Sequence, residues 1–504
     1  MKALIPSQFR NPQLPAGRSG YFRPSLVLSF TLSLLVLTAC QETLVEAPKS
    51  LAVETYYNTA SEIEAAVNAI YSPLRSDQCL SGLYPAQHEA YTDYSYGRGS
   101  YAILSNFQGL DNTNITRVGQ MWDQFYLAIR NANLVIRNAP NGQSVSDADK
   151  ARFVGEARFL RALTYFFLVR NWGGVILRTE ANMTEQNLTR STADEVYALI
   201  IRDLKEAETA LPDNPSISGR PSKWAAKTVL ADVYFYRNQF AEARDKADEV
   251  IKANKYSLVP VAVADDFAKI FGSDVVTTPE EIFYLKFTRQ AGQGFNLVMF
   301  AHNPAARLHG AGGFFAHYTD AVTNNVYKNW DRNDLRRTYG WYSWNIGLGA
   351  NSFLNRKYTD PAAPSATGAG NDYPLYRYAD LLLLYAEAAS RANNGPTAAA
   401  LEALNQVRRR AYGRPANAPS PVDFKLGDYN AQTFTDLVIR ERGYETQYEG
   451  KRWLDLKRTG RVKELIRAGV GRDVADKHLL WPIPVSELNF NTALDPTKDQ
   501  NPGY

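Results

Sequence analysis

Residues Trp224–Asn254 read WAAKTVLADVYFYRNQFAEARDKADEVIKAN. Leu230, Ala231 and Tyr234 are spaced one helical turn apart. Asn238-Gln239 interrupts the pattern, and Ala243, Ala247, Val250 and Ile251 restart it. A Leu-small-x-x-Tyr helix followed by an Ala-x-x-x-small helix is the tetratricopeptide pattern, a helix hairpin of about 34 residues. The small residues Ala231, Ala243 and Ala247 let the two helices approach closely.

Three further hairpins follow from the same spacing. In Pro374–Ala411, one face carries Leu375, Tyr378, Leu382, Ala386 and Ala389. Asn393-Asn394-Gly395-Pro396 turns the chain, and Leu401, Leu404 and Val407 answer. Asp149–Asn171, stopped by Gly173-Gly174, pairs with Thr192–Leu211, stopped by Pro212. Ser61–Leu74 pairs with Val118–Ile136. The expected fold class is therefore mostly α, a tetratricopeptide-like scaffold of about four helix pairs. Two stretches lack clean periodicity, residues 78–116 and 256–372. Hairpins must stack to bury a continuous core, so these insertions are expected to leave the scaffold on one face and form the binding surface. Asp360–Asn371 and Gly413–Gln432 read as Pro/Gly/Ala-rich loops.

The N-terminus carries an uncharged apolar run, Pro24–Ala39, preceded by Lys2, Arg10, Arg18 and Arg23. The run is shorter than the roughly 20 residues a membrane span needs and fits the h-region of a signal peptide. Leu37-Thr38-Ala39-Cys40 resembles a bacterial lipobox, in which the Cys is acylated and the preceding peptide removed. Residues 1–39 are then a leader, and residues 40–504 the mature protein. The leader's four basic residues carry the whole formal charge of +4, so the mature chain is neutral. Neither nucleic acid nor an anionic membrane surface is an expected partner. The other cysteine, Cys79, has no intrachain partner once Cys40 is lipidated and is expected to be a small buried side chain.

Gly155–Gly174 (GEARFLRALTYFFLVRNWGG), Gly219–Ala226 (GRPSKWAA), Tyr376–Ala388 (YRYADLLLLYAEA), Asn405–Ala411 (NQVRRRA), Glu441–Lys457 (ERGYETQYEGKRWLDLK) and the terminal Gln500–Tyr504 (QNPGY) occur in this order. Together they resemble the SusD/RagB family of outer-membrane lipoproteins. The resemblance spans nearly the whole mature chain, with an N-terminal half of about 40–255 and a C-terminal half of about 256–504. It implies a four-hairpin scaffold, a lipid anchor on the outer leaflet facing outwards, and a non-catalytic glycan-binding role capping a SusC-like, TonB-dependent transporter. The RagB side of the family implies peptides as the alternative ligand. No cofactor is implied.

Enzyme chemistry finds little support. Glu441, Glu445 and Glu449 recur every four residues, at a separation compatible with a glycosidase pair. Arg440, Arg442, Arg452 and Arg458 flank them and favour the ionised form, whereas a general acid needs the opposite. These carboxylates, with Asp455, are expected to form a structural ion network, as are Glu156, Arg158 and Arg161, and Arg377 with Asp380. His302, His309 and His317 are spaced seven and eight apart with no nearby Cys, which is not zinc spacing. Gly310–Gly313 lacks the Gly-Lys-Ser/Thr of a phosphate loop.

The remaining signal is aromatic. Phe314–Trp344 holds nine aromatics in 31 residues, including three of the eight Trp; Tyr84–Tyr101 holds five in 18. Both exceed twice the 12% average, and both lie in the insertions. Rings pack on the C–H faces of sugars at little cost in rotamer entropy. The candidate ligand-binding residues are Trp341, Tyr342, Trp344, Tyr91, Tyr94, Tyr96, Asn345, Asp93 and Arg98. In an extended Gly340–Gly347, Trp341 faces opposite to Tyr342 and Trp344, so one side is expected in the core and the other exposed. Trp330 is expected to pack structurally. Three functions compete: glycan capture for a transporter, peptide capture with the same role, and surface hydrolysis by two opposed carboxylates.

Overall fold

The periodic segments become helices where a side chain caps their first turn. Thr59 and Thr192 each accept a bond from the backbone N–H three residues on, and Glu62 and Glu195 in turn accept the backbone N–H of the cap residue. Ser146, Ser222, Thr397 and Asn430 cap in the same way. The helices of the frame are α1 (Ala60–Leu74), α2 (Asn112–Asn138), α3 (Asp147–Trp172), α4 (Ala193–Ala210), α5 (Lys223–Tyr236), α6 (Phe240–Lys252), α7 (Tyr378–Ala392), α8 (Ala398–Ala411), α9 (Ala431–Glu445) and α10 (Arg452–Arg458). This computed structural model describes residues 56–504, which form one compact unit. The leader, the lipobox and Cys40 lie outside the described residues.

Each helix from α1 to α6 packs on the next, and α7 then packs on both α8 and α9. The four expected hairpins, α1/α2, α3/α4, α5/α6 and α7/α8, therefore stack in chain order, although 125 residues separate α6 from α7. Helix α3 lies between α2 and α4 and is buried on nearly every side from Phe153 to Trp172, its few charged groups there being paired. Its Arg161 is fully buried and joins three layers. It donates twice to Asp203 of α4 (2.7 and 2.9 Å), once to Asn133 of α2 (2.7 Å), and also pairs with Glu180. Gly155 of α3 faces Ala210 so closely that an added Cβ would lie 2.7 Å from the Ala210 Cβ. Cys79 is buried within the core, and burial pushes its thiol pKa up.

One boundary differs from the sequence reading. Leu375 is not on a helix. Tyr373–Arg377 is a strand, β6, paired antiparallel with β2 (Glu281–Leu285), and the helix starts at Tyr378. The aromatic and β-branched run from Glu281 to Leu285 supplies a partner that local periodicity does not show.

The stretch Glu441–Arg452 is a hub of buried charge. Arg377 bonds Glu445 and Glu449, and Arg410 bonds Glu445 and Glu280. Arg336 reaches Glu441 (2.9 Å) and Glu445 (3.0 Å); Lys357 bonds Glu449 and the carbonyls of Glu445 and Gln447. The network is structural, but its partners differ from those nearest in sequence. Arg442 and Arg458 hold Asp455, Arg452 holds Asp93, and Arg440 is exposed. Burial pushes the Glu445 carboxyl up, yet Arg410, Arg377 and Arg336 overcome it and hold it well below the ordinary carboxylate range. Glu449 is likewise held at about 2, its burial outweighed by Arg377 and Lys357. Arg336 and Lys357 belong to the long insertion, so the hub fixes the insertion to the helical frame.

Candidate functional site

Within the insertions a four-stranded sheet forms in the order β1 (Tyr96–Gly97), β3 (His317–Asp320), β5 (Ser352–Asn355), β4 (Trp341–Ser343). Tyr96 opposes Tyr318. Phe353 opposes both Thr319 and Ser343, so those three share a face with Trp341. Tyr318, Tyr342 and Trp344 alternate to the other face.

The first face is core at Trp341 and Thr319, with Phe353 half-buried and Ser343 exposed. Trp341 is 5% exposed, packs edge-on against Tyr94 and Tyr327, and donates its indole N–H to Gln447 of the hub (2.7 Å). Trp330 stacks on Tyr444 with ring centroids 4.4 Å apart and bonds Asp334, the structural packing expected of it. Four of the sequence-predicted binding residues are therefore enclosed. Trp341 is one. Tyr91 stacks on Trp453 at 4.9 Å and is 1% exposed. Tyr94 is buried, donates to Glu89 and accepts the N–H of Tyr448 at 2.9 Å. Asp93 makes a buried two-pronged pair with Arg452. Each is occupied by a partner distant in sequence and has no surface left for a ligand.

The second face carries two half-buried aromatic pairs, with the fully buried Leu354 standing between Tyr318 and Tyr342. Tyr96 and Tyr318 meet edge to face, centroids 5.5 Å apart. Tyr342 and Trp344 meet the same way at 6.2 Å, and Tyr342 also leans on His302. All four rings are half-buried. Tyr318 and Tyr342 stand two strand spacings apart, about 10 Å. Burial pushes the Tyr342 phenol up to about 12 and the Tyr318 phenol up as well, so both are protonated hydrogen-bond groups at neutral pH. Asn345 is exposed and holds the β4–β5 turn, its side-chain carbonyl accepting from Gly347 and Gly349.

Beside the Tyr96–Tyr318 pair opens a pocket of about 410 Å³, walled also by Asp320, Thr323 and Arg472. An enclosed cavity between the helices, lined by Arg170 and Asp232, holds only about 40 Å³. That is room for a few waters, not for a sugar. Arg98, two residues beyond Tyr96, has extended backbone and lies over the Phe315 ring at 4.2 Å. Phe315 adopts φ +40°, a left-handed conformation that costs a residue with a side chain on the order of 1 kcal/mol, and its neighbour Phe314 is 53% exposed. The sequence reading counted Tyr318, Phe314 and Phe315 as aromatic density without singling them out, and Arg472 and Asp320 escaped it. Only the pairing with β1 brings them to Tyr96.

The buried histidines sit apart in this region. His302 bonds the Tyr358 carbonyl, and His317 packs against Tyr101 and Tyr448. Among the described residues no group of three or more His, Cys, Asp or Glu could hold a metal ion, and no helix is long and apolar enough to cross a membrane.

Two family profiles match the chain. One, described as SusD family, covers residues 307–504; the other, described as starch-binding associating with outer membrane, covers residues 50–235. SusD-like protein P2 of Formosa agariphila is 27% identical over 516 residues, spanning 95% of this chain and 99% of that protein. A SusD homolog from Bacteroides thetaiotaomicron superposes with a TM-score of 0.78 at 22% identity, covering 90% of this chain and 98% of its own. A laminarin-binding SusD-like protein superposes at 0.72 and 22% identity, covering 89% and 100%. At these identities the structural matches establish a shared fold.

Proposed function

Because the chain belongs to the SusD/RagB family, we propose that it is a non-catalytic, lipid-anchored glycan-binding protein of the outer membrane surface. It captures an oligosaccharide and hands it to a TonB-dependent transporter. The observation that carries this reading is two half-buried aromatic pairs on one side of one sheet, Tyr96 with Tyr318 at the pocket and Tyr342 with Trp344 beyond the buried Leu354. Rings about 10 Å apart match the reach of an oligosaccharide rather than of one sugar. The pocket's hydroxyl and charged groups then serve the sugar hydroxyls. A laminarin-binding protein among the fold relatives and a profile described as starch-binding agree with this ligand class.

Binding rather than hydrolysis follows from the carboxylates. Glu445 and Glu449 are buried among arginines and stay ionised, the reverse of a general acid. Glu89 is pushed up to about 7 by burial, but it is fully enclosed and held by Tyr94 and Gly450. The lipid anchor is assigned to Cys40 and the transporter role to the family.

The test is calorimetric titration of Gln41–Tyr504, which keeps the whole compact unit, against a panel of oligosaccharides and peptides, followed by product analysis. Binding of an oligosaccharide without cleavage is expected. Exclusive peptide binding points to the RagB-like alternative, and released sugar fragments overturn the non-catalytic reading.

A further inference from the structure

The charges around the Tyr96–Tyr318 pair are unbalanced. Arg472 lines the pocket and forms no ion pair or hydrogen bond with any described residue. Arg98 stands on the strand face of Tyr96, makes no ion pair, and spends only one guanidinium N–H, on the Phe315 carbonyl at 3.4 Å. Both lie close enough to Tyr318 to lower its pKa against the effect of burial. The pocket wall holds one carboxylate, Asp320, and it is already engaged. Its Oδ1 accepts from the N–H groups of Val322 (2.9 Å) and Thr323 (2.8 Å), closing its own turn.

Elsewhere buried arginines are matched by carboxylates, as Arg377 is by Glu445 and Glu449, and Arg161 by Asp203. Exposed arginines divide: Arg467 pairs with Asp473, whereas Arg130, Arg332 and Arg440 stand exposed without an ion pair to any described residue, and what sets Arg472 apart is its place in the pocket wall beside the ring pair. The mature chain is neutral overall, so the two guanidiniums beside the aromatic pair, set against the single ionised carboxylate of Asp320, are a local excess of positive charge and not a reflection of net charge. A guanidinium presents a planar fork of donors that fits the oxygens of a carboxylate or sulfate. Neutral hydroxyls do not require such a charge.

Resting on the glycan-binding reading above, we propose that the ligand is an acidic oligosaccharide whose carboxylate or sulfate is held by Arg472 and Arg98 while its ring packs on Tyr96 and Tyr318. Electrostatic capture of this kind weakens with salt, because the guanidiniums stand at the surface, where screening acts over about 8–10 Å.

The experiment is native affinity electrophoresis of the full chain, solubilised in neutral detergent. The gels contain neutral polysaccharides (starch, laminarin, galactomannan) or acidic ones (polygalacturonate, its methyl ester, alginate, carrageenan). Retardation by an acidic polymer is expected, with the neutral ester far weaker. Polygalacturonate and alginate against carrageenan separate carboxylate from sulfate. Arg472→Ala is expected to weaken the acidic interaction about tenfold, and 0.5 M NaCl to weaken it as well. Tyr318→Ala should weaken binding about 5- to 30-fold whatever the charge of the ligand. Retention only by neutral polymers, or acidic retention unaffected by salt and by Arg472→Ala, overturns this inference and leaves the glycan-binding reading standing. Retention by none of them overturns both.

Discussion

Trp341 and Trp344 sit three positions apart and do different work. Trp341 plugs the sheet onto the hub through Gln447, while Trp344 faces out beside Tyr342. Trp341→Ala is therefore expected to cost about 3–5 kcal/mol of folding stability, read by chemical denaturation. Trp344→Ala should leave the denaturation midpoint nearly unchanged and lose affinity. The hub makes a second prediction. Glu445 neutralises Arg377, Arg410 and Arg336 in a dry setting, so Glu445→Gln is expected to cost about 3–5 kcal/mol by stranding buried charge. The pH dependence has a definite sign. Glu449 titrates at about 2 when folded and near 4.3 when unfolded, so its contribution is complete above that unfolded value and is lost as pH falls from about 4.5 toward 2. His88 and His317 are pushed down to about 3 by burial and stay neutral when folded. The unfolded chain protonates them below about 6.5, which removes stability in the same direction. Urea midpoints should fall steeply from pH 5 to pH 3. At this scale the alternation of Trp341 and Trp344 was legible from spacing alone. The burial of Tyr91, Tyr94 and Asp93 was not, because Trp453, Tyr448 and Arg452 enclose them from more than 350 positions away.

At the scale of elements, helix contact is limited by side-chain size. The clash of a Cβ at Gly155 with Ala210 opposes the gain of about 1 kcal/mol that Gly→Ala brings inside a helix. Gly155→Ala is expected to destabilise the parent by about 1 kcal/mol, since overpacking costs about 1–3 kcal/mol. In an Ala210→Gly background the same change should stabilise. A double-mutant cycle by thermal denaturation checks the change of sign, and its absence means that α3 and α4 do not touch there. The hairpins were legible because their signal is local, apolar residues at one-turn spacing closed by caps such as Ser146 and Thr192. The aromatic sheet was not, since its defining contact, Tyr96 with Tyr318, joins residues over 200 positions apart. Leu375 failed for a related reason: its run is apolar in either period, and β2, far upstream, decides in favour of strand.

At the scale of the molecule, a stack of helices supports a sheet that no single segment encodes, and the hub of Glu441–Arg452 locks the two together. The proposed tether belongs to this scale too. Cys40→Ala is expected to move the protein from the membrane fraction to the soluble one, and continued membrane association of that variant contradicts the lipid anchor. The central claim is that the half-buried rings on one side of the sheet recognise the ligand. The direct measurement is the affinity of Tyr318→Ala and Trp344→Ala, relative to the parent, for the oligosaccharide that the parent binds best. A loss of about 5- to 30-fold for each, the equivalent of about 1–2 kcal/mol per ring, is predicted with unaltered melting temperatures. Unchanged affinity in both variants contradicts the account.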